Sequence, residues 1–183
     1  VINPIEILSQ YGSDALRLGI VANRSAAQNQ ALSMGKIIAG RNYCNKLWNI
    51  SRFIGDKLGD DFTPSNTPQA KSLADHWIIS ELNKTCLEIG NHLDKFRFAE
   101  ASEALYHTVW DSVADWYIEA SKADLNKDLL AWVLETCLRM SHPFTPFVSE
   151  TIWQNLPWTS SILASEYCPV PLTSDEISAA QFT

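Results

Sequence analysis

Side chains that could recognise another molecule are concentrated in residues 41–53, which read RNYCNKLWNISRF. Four polar residues in this segment recur at intervals of four, four and three: Arg41, Asn45, Asn49 and Arg52. On a helix this spacing stacks them on one face, here called the polar ladder, with Lys46 beside it and Trp48 at its border. Guanidinium groups match phosphates, amides pair with base edges, and aromatic rings stack on unpaired bases. These types suit RNA, but the spacing equally suits a half-buried polar seam between helices.

The rest of the sequence offers little catalytic chemistry. Its seven glycines form neither of the glycine-rich phosphate loops, and no zinc-protease or EF-hand motif is present. Its cysteines lie 31 to 51 residues apart and share no ligand spacing with the four histidines. Five carboxylates could share a helix face: Glu100, Glu103, Asp111, Asp115 and Glu119. Because no Glu-x-x-His accompanies them, we interpret them as a solvated or capping face and predict neither a catalytic nor a metal site.

Charge is distributed unevenly along the 183 residues. The formal net charge of −7 disfavours a protein that coats nucleic acid through bulk charge. Residues 1–57, however, carry seven Lys or Arg against three carboxylates, a local net charge of +4, and the remainder carries −11. This asymmetry predicts one basic end and a mainly solvating remainder.

Composition indicates a compact globular piece. Hydrophobic residues make up 46% of the chain and aromatic residues 10%, which argues against disorder. The sequence has no apolar run of about 18 residues and no signal-peptide pattern, so we expect neither a membrane protein nor a secreted one. The scattered cysteines indicate reduced thiols in a cytoplasmic protein. Because the chain begins with Val1 rather than Met, we expect a segment of something longer.

Apolar residues recur with helical periodicity through most of the chain, and no strand pairing is indicated. We predict helices from Asn3-Pro4 to Gly12, from Ser13 to Asn23, over 32–57, 72–95, 98–123 and 128–141, and from Thr145-Pro146 towards Pro157. The fold class predicted is all-α, an antiparallel helical bundle over 32–157. A small helical neck, 1–31, precedes it, and an irregular tail with a short helix, 158–183, follows. We expect four aromatic residues in the core: Trp48, Trp116, Tyr117 and Trp153.

Several segments resemble class I aminoacyl-tRNA synthetases of the subgroup that activates branched aliphatic amino acids and methionine. The opening VINP and residues 11–17 (YGSDALR) resemble the segment that follows the KMSKS loop in that family. Residues 41–53 resemble the start of its helical anticodon-binding domain, and 73–78 (LADHWI) resemble the opening of its next helix. Residues 142–154 (HPFTPFVSETIWQ) resemble its final helix pair, and 115–122 (DWYIEASK) are similar to its valine-specific members. The resemblance runs in order through residues 1–157.

The resemblance implies a tRNA-binding, anticodon-recognition segment of an enzyme that attaches valine to its tRNA with ATP and Mg²⁺. It implies no cofactor and no catalysis in this segment alone. The partners it implies are the valine tRNA and the upstream catalytic and editing domains, with no membrane and no DNA. The implied tRNA-binding residues are Arg41, Asn45, Lys46, Asn49 and Arg52, with Trp48 as a weaker candidate. Asp14 and Arg17 would fix the neck against the catalytic domain or the tRNA stem, unless their role is purely structural.

Two other interpretations stay open at this point. An isoleucine- or leucine-specific relative would carry the same domain and would differ in the anticodon that it prefers. A helical adaptor for another protein would instead expose an apolar groove and would bind tRNA no better than any other polyanion.

Overall fold

The computed structural model describes residues 3–22, 33–65, 68–159 and 161–166. The regular elements in these ranges are α1 (Pro4–Tyr11), α2 (Ser13–Val21), α3 (Met34–Leu58), α4 (Leu73–Asp94), α5 (Phe98–His107), a π-helical segment (Thr108–Tyr117), α6 (Ile118–Ser121), α7 (Lys127–Ser141), α8 (Pro146–Gln154) and a 3₁₀ turn (Leu163–Glu166). The predicted all-α bundle is confirmed, and its long helices begin and end within two residues of the predicted bounds. Among these elements, no helix has both the length and the apolar character that a bilayer span requires.

Part of the predicted domain division falls outside the described residues. The proposed neck boundary at 31/32 lies in the gap 23–32, and most of the tail, including Cys168 and the expected short helix, lies beyond 166. The neck, bundle and tail boundaries therefore stay predictions.

Local capping explains where several helices begin and end. The Asn3 side chain accepts the Ile5 N–H at 3.1 Å, and Pro4 occupies the first turn of α1, where its missing N–H has no partner to lose. Ser72 accepts the Asp75 N–H at 3.2 Å at the start of α4. Gly12, with φ at 84°, ends α1 in a backbone region that favours glycine. The start signals at Asn3 and Ser72 are thus confirmed.

The Asp75 carboxylate does not complete a reciprocal capping box with Ser72. The Asp75 carboxylate, which is 2% exposed, accepts the Lys71 N–H at 2.9 Å instead of the Ser72 N–H. It also accepts the Tyr117 hydroxyl at 3.0 Å and the Asn126 side-chain amide at 2.8 Å. Burial and the nearby Asp75 charge raise the pKa of Tyr117, which keeps its hydroxyl protonated as a donor. This buried network joins α4, the π-helical segment and the turn before α7.

The helix pair α5–α6 and the π-helical segment between them form one continuous rod whose buried face recurs every fourth residue. The apolar positions at this spacing, all buried, are Ala101, Leu105, Val109, Val113 and Tyr117, and the adjacent Ala114 and Ile118 are buried as well. The wider turns of the π-helical segment, with hydrogen bonds from i to i+5, shift the buried face relative to an α-helix. The prediction that Trp116 lies in the core is therefore wrong, and its side chain is 71% exposed. The core predictions for Tyr117 and Trp153 are confirmed.

The neck helices pack closely onto the start of α3. Ile7, Ala15 and Ile37 form a small buried cluster beside the main core. A Cβ atom at Gly40 would lie 2.7 Å from the Ala15 carbonyl oxygen, so only glycine permits this approach of α2 and α3. The close contact of α2 with α3 at this point therefore depends on the absence of a side chain at Gly40.

The Gly40→Ala variant should lower the free energy of unfolding by about 1–3 kcal/mol, because α2 must move away from α3 to admit the methyl group. The matched control is Gly90→Ala on α4, where a Cβ would meet no atom within 4 Å. There, better helix propensity should raise stability by up to about 1 kcal/mol. Urea unfolding followed by circular dichroism measures both. Equal stabilities of the two variants would contradict the close α2–α3 contact.

Candidate nucleic-acid interface

The polar ladder exists as a solvent-exposed strip along α3. The side chains of Arg41, Asn45, Asn49 and Arg52 are all exposed, while the intervening Tyr43, Leu47 and Ile50 are buried. Arg41 lies 5.5 Å from the centre of the Tyr11 ring, so the neck borders the ladder at one end. Because the ladder faces water, the alternative of a half-buried polar seam does not describe it.

Lys46 does not belong to the ladder. Its ammonium pairs with the Asp115 carboxylate at 2.8 Å and lies 4.9 Å from the centre of the Trp110 ring. It thereby ties α3 to the π-helical segment on a different side of the helix. The sequence placed Lys46 within the informative segment, whereas its pairing depends on a residue 69 positions further on. Its role in RNA binding stays a prediction.

Trp48 is exposed over 41% of its surface, so its expected place in the core is wrong. Trp48 follows Leu47, which is fully buried, but consecutive helical residues point in directions about 100° apart. Trp48 instead precedes Arg52 by four residues and shares its face. Trp48 and Arg52 therefore lie on the same exposed face of α3.

A groove between α3 and the end of α8, here called the α3–α8 groove, begins beside this pair. Its cavity volume is about 590 Å³, a size typical of small-molecule sites. Ile152 and Leu156, both almost fully buried, form its apolar base. Its polar and aromatic lining includes Trp48, Arg52, Asp56, Asp60, Asn155 and Trp158.

Trp158 forms one wall of the groove, and contacts with two other residues hold its side chain in place. Its indole N–H donates to the Glu135 carboxylate at 2.7 Å, and its ring meets Phe62 edge to face at 5.7 Å. Neither Trp158 nor Asn155 is among the binding residues predicted from the sequence. The sequence signal that could have indicated Trp158 is an aromatic residue directly after Pro157, where the helix cannot continue.

The charges along the groove are mixed. Arg52 is the cation among the described residues that line it, and Asp56 and Asp60 lie on the same lining. A run of phosphates would meet repulsion from the two carboxylates. A flat, neutral base with donors and acceptors on its edge fits this combination better, because guanidinium, amide and carboxylate groups can all bond to it.

A second cationic feature lies beside the ladder. The ammonium groups of Lys57 and Lys122 lie 5.6 Å and 5.7 Å from the centre of the Phe53 ring. Lys122 also pairs with Glu119 at 2.7 Å. Phosphates bound along the ladder would therefore find further positive charge here.

Asp14 and Arg17 bind the neck to the helix pair at the end of the bundle. The buried Asp14 carboxylate accepts the N–H groups of Phe147 and Val148, at 3.3 Å and 2.7 Å, in the first turn of α8. Burial raises its pKa, although these two hydrogen bonds oppose the rise. Arg17 donates to the Pro143 carbonyl at 3.1 Å. A contact of either residue with a tRNA stem or an upstream domain stays a prediction.

Three of the five carboxylates that could share a helix face pair with basic side chains. Asp111 lies 2.9 Å from His107, and Asp115 and Glu119 pair with lysines. Over the described ranges, no three His, Cys, Asp or Glu residues come close enough together to hold a metal ion.

Comparison with known proteins identifies relatives for most of the chain. A family model described as the anticodon-binding domain of tRNA ligase matches residues 75–182. A valine–tRNA ligase of Bacillus cereus is 38% identical over 167 residues, which cover 85% of this chain and 19% of that protein. One from Latilactobacillus sakei is 38% identical over 188 residues, covering 96% of this chain and 21% of that protein. The chain thus spans about a fifth of the length of these relatives.

The fold also occurs in a solved structure. The LeuRS–tRNA–LeuAMS ternary complex of Agrobacterium radiobacter K84 agnB2 superimposes with a TM-score of 0.78 at 20% sequence identity. The match covers 97% of this chain and 21% of that one. At this identity the likeness concerns the fold, and it includes the neck as well as the bundle.

The Asp14→Ala variant should lose about 1 kcal/mol of stability, because the first turn of α8 loses the acceptor for two of its N–H groups. Asp111→Ala, at an exposed carboxylate paired with His107, is the control and should stay within about 0.5 kcal/mol of the original chain. Chemical unfolding at neutral pH compares them. If Asp14→Ala unfolds like the control, the carboxylate does not hold α8.

Proposed function

The chain belongs to the family of anticodon-binding domains of tRNA ligases, and we propose that it is the anticodon-reading part of a valine–tRNA ligase. The 38% identity to valine–tRNA ligases over 85–96% of the chain supports the choice of valine. The bound partner would be a valine tRNA. The protein would act in the cytoplasm, where such enzymes serve translation.

One observation carries this proposal: the polar ladder leads directly into the α3–α8 groove, which has an aromatic side chain on each side. The bases of an anticodon loop are unpaired, so their faces are free to stack and their edges are free to accept and donate hydrogen bonds. Trp48 offers a stacking surface, and Arg52 and Asn155 offer polar groups to base edges. Asn45 and Asn49 extend the same kind of contact along α3.

The role proposed for this chain is positioning. Binding the anticodon arm would orient the tRNA so that its acceptor end reaches the reaction centre, which is an entropic contribution to the rate. Valine activation with ATP and Mg²⁺, and editing, would belong to upstream regions, since the groove and the ladder hold no nucleophile–base pair. The chain alone would bind tRNA without aminoacylating it.

The Arg52→Ala variant should weaken binding of a valine tRNA transcript about tenfold, as expected for loss of one charged base or phosphate contact. Because the Arg52 side chain is exposed, the unfolding midpoint should not change. Lys84→Ala on α4 removes an exposed cation away from the groove and is the charge-matched control. Filter binding measures affinity, and a thermal melt measures stability. A parallel loss of stability and binding in Arg52→Ala would identify a structural residue instead.

Anticodon reading itself is tested with a second transcript whose middle anticodon base is changed. Valine tRNAs carry A and then C at the second and third anticodon positions, so the change should weaken binding at every salt concentration. Trp48→Ala should reduce this discrimination together with affinity, because stacking positions the base for edge contacts. Equal binding of both transcripts and of an unrelated polyanion would overturn the proposal and favour a protein-binding adaptor.

A further inference from the structure

The turn between α4 and α5 has an unusual residue at its centre. The N–H of Arg97 donates to the His92 carbonyl at 2.8 Å, and the N–H of Phe96 donates to the Leu93 carbonyl at 3.0 Å. These two bonds define a Schellman motif, whose central residue adopts the left-handed backbone conformation and is usually glycine. Here that residue is Phe96, with φ at 57°, and it is the one described non-glycine residue with a positive φ.

Packing does not explain a phenylalanine at this position. The Phe96 side chain is 77% exposed, so burial offsets little of the backbone strain. Its ring contact is with Phe98, edge to face at 6.1 Å, and Phe98 is itself 47% exposed. Glycine would make the same turn with less strain. A strained residue that holds an aromatic ring in water points to a ligand for that ring.

The residues on either side of Phe96 indicate the chemistry of this ligand. Lys95 and Arg97 are both exposed, and within the described part of the chain no carboxylate pairs with either of them. Asp94, in the last turn of α4, and Glu100, in the first turn of α5, are the nearest carboxylates in the sequence. Exposed aromatic rings interleaved with cations are the combination that binds unpaired nucleotides, with the base on the ring and the phosphates on the cations.

This turn lies at the opposite end of the bundle from the α3–α8 groove. Ala99 and Ser102, just after the turn, line a cavity together with Lys36 and Ala39 of α3. Arg52 follows Lys36 by 16 residues on the same helix, which corresponds to about 24 Å along its axis. A nucleotide at the turn is therefore a different nucleotide from one in the groove.

We propose that residues 95–98 form a second RNA contact, in which Phe96 stacks on an unpaired base and Lys95 and Arg97 bind the adjoining phosphates. The inference rests on the proposed function, since the RNA is the same tRNA that the groove reads. It assigns the two ends of the bundle to two separated parts of one molecule, which fixes the direction of the tRNA along α3.

The test is Phe96→Gly in the 183-residue chain, with filter binding to the valine tRNA transcript and a thermal melt. Glycine relieves the backbone strain, so Tm should stay the same or rise by about 2 °C. Affinity should nevertheless fall about tenfold, the typical effect of removing one stacked aromatic ring. Phe147→Ala is the matched control, because Phe147 is 62% exposed on α8 and lies outside both proposed contacts.

The cations are tested by the double variant Lys95→Ala/Arg97→Ala. The slope of log K against log salt should become shallower by about 1.4, the effect of losing two single-stranded phosphate contacts. Phe147→Ala should leave the slope as it is.

The outcomes separate this inference from the proposed function. If Phe96→Gly binds like the original chain while Arg52→Ala binds weakly, the second contact is wrong and anticodon reading stands. If Phe96→Gly loses Tm and affinity together, the ring is structural and the inference falls. If the original chain binds the valine transcript no better than an unrelated polyanion, both proposals fall.

Discussion

The rest of the structure depends on one constraint, which is the side of α3 that faces the core. Tyr43, Leu47 and Ile54 are completely buried, and together they fix which side of this helix faces the core. A rotation by one residue, about 100°, would bring charged groups into an apolar interior, where an unpaired charge is very costly. The burial of one face therefore keeps Arg41, Asn45, Asn49 and Arg52 in water, where a ligand can reach them.

One wall of the α3–α8 groove comes from residues outside α3. Trp158 stands opposite α3 because Glu135 of α7 accepts its indole N–H and Phe62 packs against its ring. The start of α8 is held in turn by Asp14 of the neck. A surface suited to unpaired bases thus results from three elements that are far apart in sequence, and loosening the neck would disturb the groove through α8.

At the far end of the bundle, the turn at Phe96 is not stabilised by burial as the core is. The core stabilises the fold through buried apolar contacts, whereas the turn at Phe96 combines a left-handed backbone with an exposed ring. Such a residue persists only where the surrounding structure holds it, and the two backbone hydrogen bonds of the Schellman motif do so here. With both proposed contacts, the bundle would serve as a rigid spacer between two surfaces that suit the same kind of ligand.

The sequence by itself determined the helices, most of their ends and the shared helix face of the ladder residues, because these follow from interactions within a few residues. It did not determine whether that face is exposed. Asn3 and Ser72 cap helices through neighbours two or three residues away, and the α3 face follows from helical periodicity. Tertiary structure decided the exposure of Trp48 and Trp116, the pairing of Lys46 with Asp115, and the wall formed by Trp158. Each of these depends on which distant elements pack together, or on a π-helical segment that shifts the buried face. Local periodicity carries no information about such contacts.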